Sequence, residues 1–323
     1  MKNFRFIYLA AASLLFAACA SEEEGSNSPV AAIVHADISQ TINSRATATD
    51  NSWSEGDAIG VYIISASTTT FAKNVKYVAT DETGNFTSDT PIYFMDNKEQ
   101  DFIAYYPYQE TDNIDEEGWL KNAWDINYSD PGKTLAYDFL LAGTVTADKA
   151  SPVVDFKDTN EGSDYDAQKD HRFKHKMALV EFNIKTGFGV DGYYNTLQKI
   201  VLKNIKSTGK VNVKTGVIDT WDATAAPQTM TIDKNMESTI HCQFILFPQM
   251  IENNKLDLEF LVKLSEETIN VYTTSIDLTD DGFESGKKYT YNITVNNTSI
   301  SIKQANIMPW MEYPQGDLDA DFQ

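Results

Sequence analysis

From residue 53 to residue 295 the chain is broken into short runs of alternating or β-branched residues by Gly, Asn, Asp and Pro, and no long stretch holds apolar residues at helical spacing. Period-two runs bury one face of a strand, whereas a helix needs apolar positions three and four apart. The clearest runs are Ile59–Ile64, Phe102–Tyr106, Met177–Lys185, Ile200–Lys203, Leu256–Leu264, Asn270–Leu278 and Tyr289–Val295. Lys210–Ile218 reads as a tight hairpin with Gly216 at positive φ. Many closely spaced strands without helical crossovers predict an all-β fold of antiparallel sandwiches, not a parallel α/β sheet.

Between Asp155 and Asp170 the alternation lapses into a polar stretch, which predicts a junction between two domains of ordinary size, 46–165 and 166–323. Ahead of them stands a different kind of sequence. Lys2 and Arg5 precede an apolar run from Phe6 to Phe16 that ends at Ala17-Ala18-Cys19, the three-part layout of a secretory signal over residues 1–18. The run is too short to span a bilayer as a helix. A cysteine after small residues at that border reads as a lipobox, with Cys19 carrying the acyl chains. Residues 19–45 then form a polar tether, and the Glu22-Glu23-Glu24 run resembles the tag that sends some lipoproteins to the outer face of the outer membrane. Within the tether Val30–Ile38 has the alternation of a strand.

Charge narrows the partners. With 47 acidic and 26 basic side chains the net charge is −21, and a field of that sign repels phosphate backbones, so nucleic acid is not an expected partner. Besides Cys19 the only cysteine is Cys242, so no intrachain disulfide is available, and the apolar run around Cys242 predicts a buried, inert thiol.

Six stretches then match one family in order: Trp53-Ser-Glu-Gly-Asp-Ala-Ile-Gly-Val-Tyr62, Phe102-Ile-Ala-Tyr-Tyr-Pro107, Asp138-Phe-Leu-Leu-Ala142, Phe173-Lys-His-Lys-Met-Ala178, Leu246-Phe-Pro-Gln249 and Gly286-Lys-Lys-Tyr-Thr-Tyr-Asn-Ile293. Behind a lipobox, this set resembles the fimbrillin family, the pilins and pilin-like lipoproteins of type V pili. The resemblance implies two transthyretin-like β-sandwiches in tandem, and a surface location at the outer membrane and in a fimbrium. It also implies a precursor cut after an arginine, which falls here at Arg45–Ala46. Beyond the signal the chain holds only Arg45 and Arg172, so an arginine-specific protease finds few other bonds. Release of Val30–Ile38 would leave a groove for a strand from another pilin subunit. The candidate donor is the stretch containing Ile300, Ile302, Ala305 and Ile307, which reads equally as the last strand of the second domain.

Other signals carry less. Gly187, Gly189 and Gly192 match a dinucleotide fingerprint, but the residues that follow turn back into a strand where a helix is required. His171, His175 and Asp170 could suggest a metal, and Asp158, Asn160, Asp164 and Asp166 a calcium loop, yet neither spacing meets a ligand pattern. Tyr105, Tyr106 and Tyr108 read as packing residues. No hydrolase, metalloprotease or phosphate-loop motif occurs, so neither an enzyme nor a cofactor is expected. Two alternatives to a polymerising subunit remain: an anchor subunit that keeps its lipid, and a monomeric surface lipoprotein that captures host or bacterial glycans through Trp119, Trp124 and Trp221.

Overall fold

The computed structural model describes residues 28–39, 52–65, 72–161, 165–192, 194–221, 227–264, 268–303 and 306–310. Cys19, Arg45, Ala46, Asp164 and Ala305 lie outside them.

The first half carries β1 (Val30–Ala31), β2 (Ile33–Ala36), β3 (Ala58–Ile63), β4 (Val75–Ala79), β5 (Asn85–Thr87), β6 (Tyr93–Phe94), β7 (Gln100–Tyr106), β8 (Trp124–Asp125), β9 (Leu140–Leu141), β10 (Val145–Ala147) and β11 (Val153–Phe156). The second carries β12 (Lys174–His175), β13 (Ala178–Thr186), β14 (Thr196–Leu202), β15 (Thr208–Val211), β16 (Ile218–Thr220), β17 (Gln228–Asn235), β18 (Ile240–Leu246), β19 (Lys255–Lys263), β20 (Ile269–Asp277), β21 (Lys287–Val295), β22 (Ile300–Ile302) and β23 (Asn306–Pro309). The only α-helix among the described residues is one turn, Pro131–Thr134. The chain is therefore all-β, as the period-two runs predict, and each of the seven clearest runs lies on a strand within a few residues of its expected limits.

A nine-stranded sheet follows the order β11-β2-β5-β4-β3-β7-β9-β12, with β10 also on β7. In the second half β18-β13-β21-β22 faces the sheet β17-β14-β19-β20, and β23 continues the outer edge along β21. Most pairs are antiparallel, but β2 runs parallel to β11 and β13 parallel to β21. The predicted hairpin is β15–β16, with Gly216 at φ +70° in its turn.

Two hydrophobic cores result. One gathers Trp53, Ile59, Val61, Phe86, Phe94, Phe102, Val154, Phe156 and Phe173. The other is built by alternating residues of the long strands, such as Val180, Phe182 and Ile184 on β13, none of them exposed. Phe182 meets Phe244 and Tyr291 edge-on at 5.1 and 5.9 Å between ring centroids. The second core also takes Ile114, Leu120, Ile126 and Tyr128 from the first half, because β8 joins β15 and the Leu120 amide donates to Val211. In the other direction Phe173 and β12 return to the first sheet.

Cys242 is buried on β18, and burial pushes its thiol up to about 12. At pH 8 the folded protein should therefore resist thiol alkylation, since the thiolate is the reactive form. Mass spectrometry of iodoacetamide-treated protein should find Cys242 modified only after denaturation; rapid modification of the native chain would contradict this burial.

Candidate assembly site

Val30–Ile38 is extended, and it fills a gap inside the first sheet rather than covering its edge. On one side Ile33, Val34, His35 and Ala36 stand opposite Val153, Val154, Asp155 and Phe156 of β11. On the other, Val34 and His35 pair with Phe86 and Asn85 of β5. Before this, Val30 and Ala31 pair with β6, and the Ala32 amide donates to Ile92. Beyond it, Phe173 donates to Asp37 and Ser39 donates to Phe173. The alternation that identifies the strand also orients it: Ala32, Val34 and Ala36 are buried while Ile33 is half exposed. Removing the strand would strip hydrogen-bond partners from two neighbouring strands at once.

Trp53, the first residue of the first family motif, holds this strand. Its indole Nε1 donates to the Ala36 carbonyl at 2.6 Å, and its ring meets Phe86, Tyr106 and Phe173 edge-on at 5.0–5.5 Å. A buried indole needs an acceptor, and a carbonyl on the adjacent strand supplies it. The first family motif therefore supplies the clamp of β2. Gly84 serves the same contact: its φ is +80°, and a Cβ there would stand 2.1 Å from the Ala36 oxygen.

Residues 39 and 52 mark the two sides of the segment that contains Arg45. Ile38, Ser52 and Trp53 line a cavity of about 200 Å³ between the halves, together with Tyr106, Leu135, Asp138, Leu140, His175, Ile245 and Trp310. Trp310 stacks on His175 with centroids 3.8 Å apart and planes 3° from parallel. His175 Nδ1 meets Asp138 Oδ2 at 2.5 Å. The ends of the amino-terminal strand and of β23 thus meet at one place.

The other arginine beyond the signal is tied down. Arg172 Nε donates to Asp170 at 2.8 Å and its Nη2 reaches Asp158 at 3.1 Å, with the side chain 12% exposed. Burial alone would raise the Asp170 carboxyl, but hydrogen bonds from Arg172 and Tyr165 outweigh it and hold its pKa below the ordinary value. A protease that needs an extended, accessible arginine meets neither condition there.

Ile300 and Ile302 lie on β22, half-buried against β21, and Ile307 lies on β23 with 37% of its surface exposed. The candidate donor stretch thus forms the edge strand of its own half. Of the residues considered for a metal, His175 is engaged with Asp138 and Asp170 with Arg172, Lys174 and Tyr165. Asp158 and Asp166 are bound into their loop through Asn160. The glycine-rich turn leads into β14, not into a helix. Trp124 packs edge-on against Phe139 at 6.0 Å, Trp119 is half-buried, and Trp221 is 37% exposed. Tyr105 is fully buried and its hydroxyl donates to Asn74.

Two hydrophobic cores, with an amino-terminal strand threaded between β5 and β11 of the first sheet, define an all-β protein whose own amino-terminal strand completes that sheet. A family description, fimbrillin-like, matches residues 44–310, and the chain belongs to that family. It is 26% identical over 312 residues to a candidate fimbrium subunit, Fim1C, of Bacteroides uniformis, covering 94% of this chain and 93% of that protein. A candidate cell adhesion protein from Bacteroides ovatus superposes with a TM-score of 0.67 at 25% identity, over 88% of this chain and 99% of the other. Another, from Bacteroides uniformis, superposes with a TM-score of 0.67 at 23% identity, over 89% and 100%, and shows the shared fold.

Proposed function

We propose that this protein is a structural and adhesive subunit of a cell-surface fimbrium, exported as a lipoprotein on Cys19 to the outer membrane and assembled by strand exchange. An arginine-specific protease cuts Arg45–Ala46, the segment 19–45 departs with β1 and β2, and a strand of another subunit takes the vacancy. The working body is then two sandwiches, 46–165 and 166–323, which lend each other the segments described above. The chain works by binding its neighbours, without catalysis, cofactor or nucleic acid.

The observation that carries the reading is the placement of Val30–Ile38 between β5 and β11, just ahead of the segment that holds Arg45. A strand bonded on both sides completes the sheet, so its loss creates a demand for a replacement strand. Pinning of Arg172 by Asp170 and Asp158 supports Arg45 as the preferred bond.

Light scattering of purified, lipid-free protein tests the reading. Uncut protein should stay monomeric, protein treated with an arginine-specific protease should grow slowly into polymers, and Arg45→Ala should remain monomeric under the same treatment. Monomers that persist after verified cleavage, or an Arg45→Ala variant that polymerises like the wild type, would remove the mechanism.

A further inference from the structure

We infer that the free edge of β20 is a second docking site, at which β20 of another copy of this chain pairs antiparallel across a two-fold axis. The contact joins subunits side by side and is independent of strand exchange at β2. β20 is the outer strand of the sheet β17-β14-β19-β20, and its nine residues face β19 without a shift of register. At the two ends of that ladder the Leu264 amide donates to Thr268 and the Leu278 amide to Asn254. Bonded and non-bonded pairs alternate along an antiparallel ladder, so Asn270, Tyr272, Thr274 and Ile276 bond to β19. Ile269, Val271, Thr273, Ser275 and Asp277 therefore aim their amides and carbonyls off the edge, where no described residue takes them.

Other edges of the second half are guarded. β17 carries Asp233 at φ +46° and then Lys234, its pairing with β14 shifts register, and its Thr231 amide donates to Ser129. On the facing sheet the Ile245 amide of β18 donates to Thr134 of the helical turn, and the opposite edge is broken into the short β22 and β23. Charges, bulges and short strands keep an edge from pairing with another chain. β20 has none of these. Residues 268–276 hold no charge, proline or glycine, and Ile269 and Val271 are 52% and 57% exposed. Such a segment pairs readily wherever it is open. A cavity of about 430 Å³ separates its end at Ser275–Thr279 from Ile302, Lys303 and Ile307, so the facing sheet leaves that end open.

Charge identifies the occupant. In a chain of net charge −21 a basic partner would be drawn by acidic side chains, whereas a second copy is admitted only where the edge carries none. The five outward residues are also symmetric about Thr273. Two copies of β20 centred there set Thr273 against Thr273, Val271 against Ser275 and Ile269 against Asp277, joined by about ten backbone hydrogen bonds. The one charge thus never meets its own copy, and Lys255 offsets it at 3.1 Å. One such contact is small, so isolated subunits meet only briefly; repeated between two polymers, the contacts add.

Disulfide trapping in uncut, lipid-free protein tests the pairing where strand exchange does not operate. Thr273 would face its own copy with Cα atoms about 5.5 Å apart, within the reach of a disulfide. Under mild oxidation Thr273→Cys should form a covalent dimer at least tenfold faster than Val217→Cys, an exposed site on the β15–β16 turn. Val271→Cys should not link to itself, yet should link to Ser275→Cys when the two proteins are mixed. Adding Thr273→Lys to both partners should slow that link about tenfold or more, because like charges then stand opposite each other. Circular dichroism verifies that each variant is folded. Dimers of Thr273→Cys no faster than those of Val217→Cys would overturn the inference, and so would Val271→Cys that links to itself as fast as to Ser275→Cys.

Discussion

Trp53→Ala should cost the first core about 3–5 kcal/mol, because it empties a site packed by Phe86, Tyr106 and Phe173. The same change leaves the buried Ala36 carbonyl without its donor, a loss of about 1–3 kcal/mol that overlaps with the cavity term. Domains have only about 5–15 kcal/mol in total, so the variant should stand near the limit of folding. Trp53→Phe separates the two contributions, since it keeps much of the ring packing and removes the N–H. Urea unfolding followed by circular dichroism gives the size of the loss, and hydrogen exchange gives its place: amides of residues 32–36 should exchange faster in both variants. A Trp53→Ala midpoint equal to the wild type, or unchanged exchange in that strand, would show that Trp53 does not clamp it.

Cys19→Ser should abolish membrane attachment altogether. Each buried methylene adds about 0.8 kcal/mol, and a single chain anchors only marginally while several anchor stably. With the thiol gone no chain is attached, and nothing in the polar residues 20–29 replaces it. Labelling with a radioactive fatty acid, followed by fractionation, should show a label-free protein lost from the membrane fraction. A Cys19→Ser protein that is still labelled and membrane-bound would end the lipoprotein reading.

The strands were legible because each carries its own period-two pattern, and the scarcity of helix follows from the same residues. Which strands become neighbours was not legible, since pairing depends on contacts far apart in sequence. Nothing local to Val30–Ile38 says that it lies parallel to Val153–Phe156. The crossover of Ile114, Leu120, Ile126 and Tyr128 into the second core escaped for a related reason: these residues sit singly among polar ones, and only the pairing of β8 with β15 gathers them. Trp53 was visible as a motif residue, but its role needs the partner carbonyl 17 positions away. A signal was present all the same, because a tryptophan that is to be buried must find an acceptor.

The central claim is that the assembled subunit has exchanged its own amino-terminal strand for another. Intact mass of subunits sheared from the cell surface tests it most directly. The account predicts a chain that begins at Ala46, free of acyl mass and of residues 30–38, while the cell-bound precursor begins at acylated Cys19. Sheared polymers whose subunits still begin at acylated Cys19, with Val30–Ile38 attached, would contradict it.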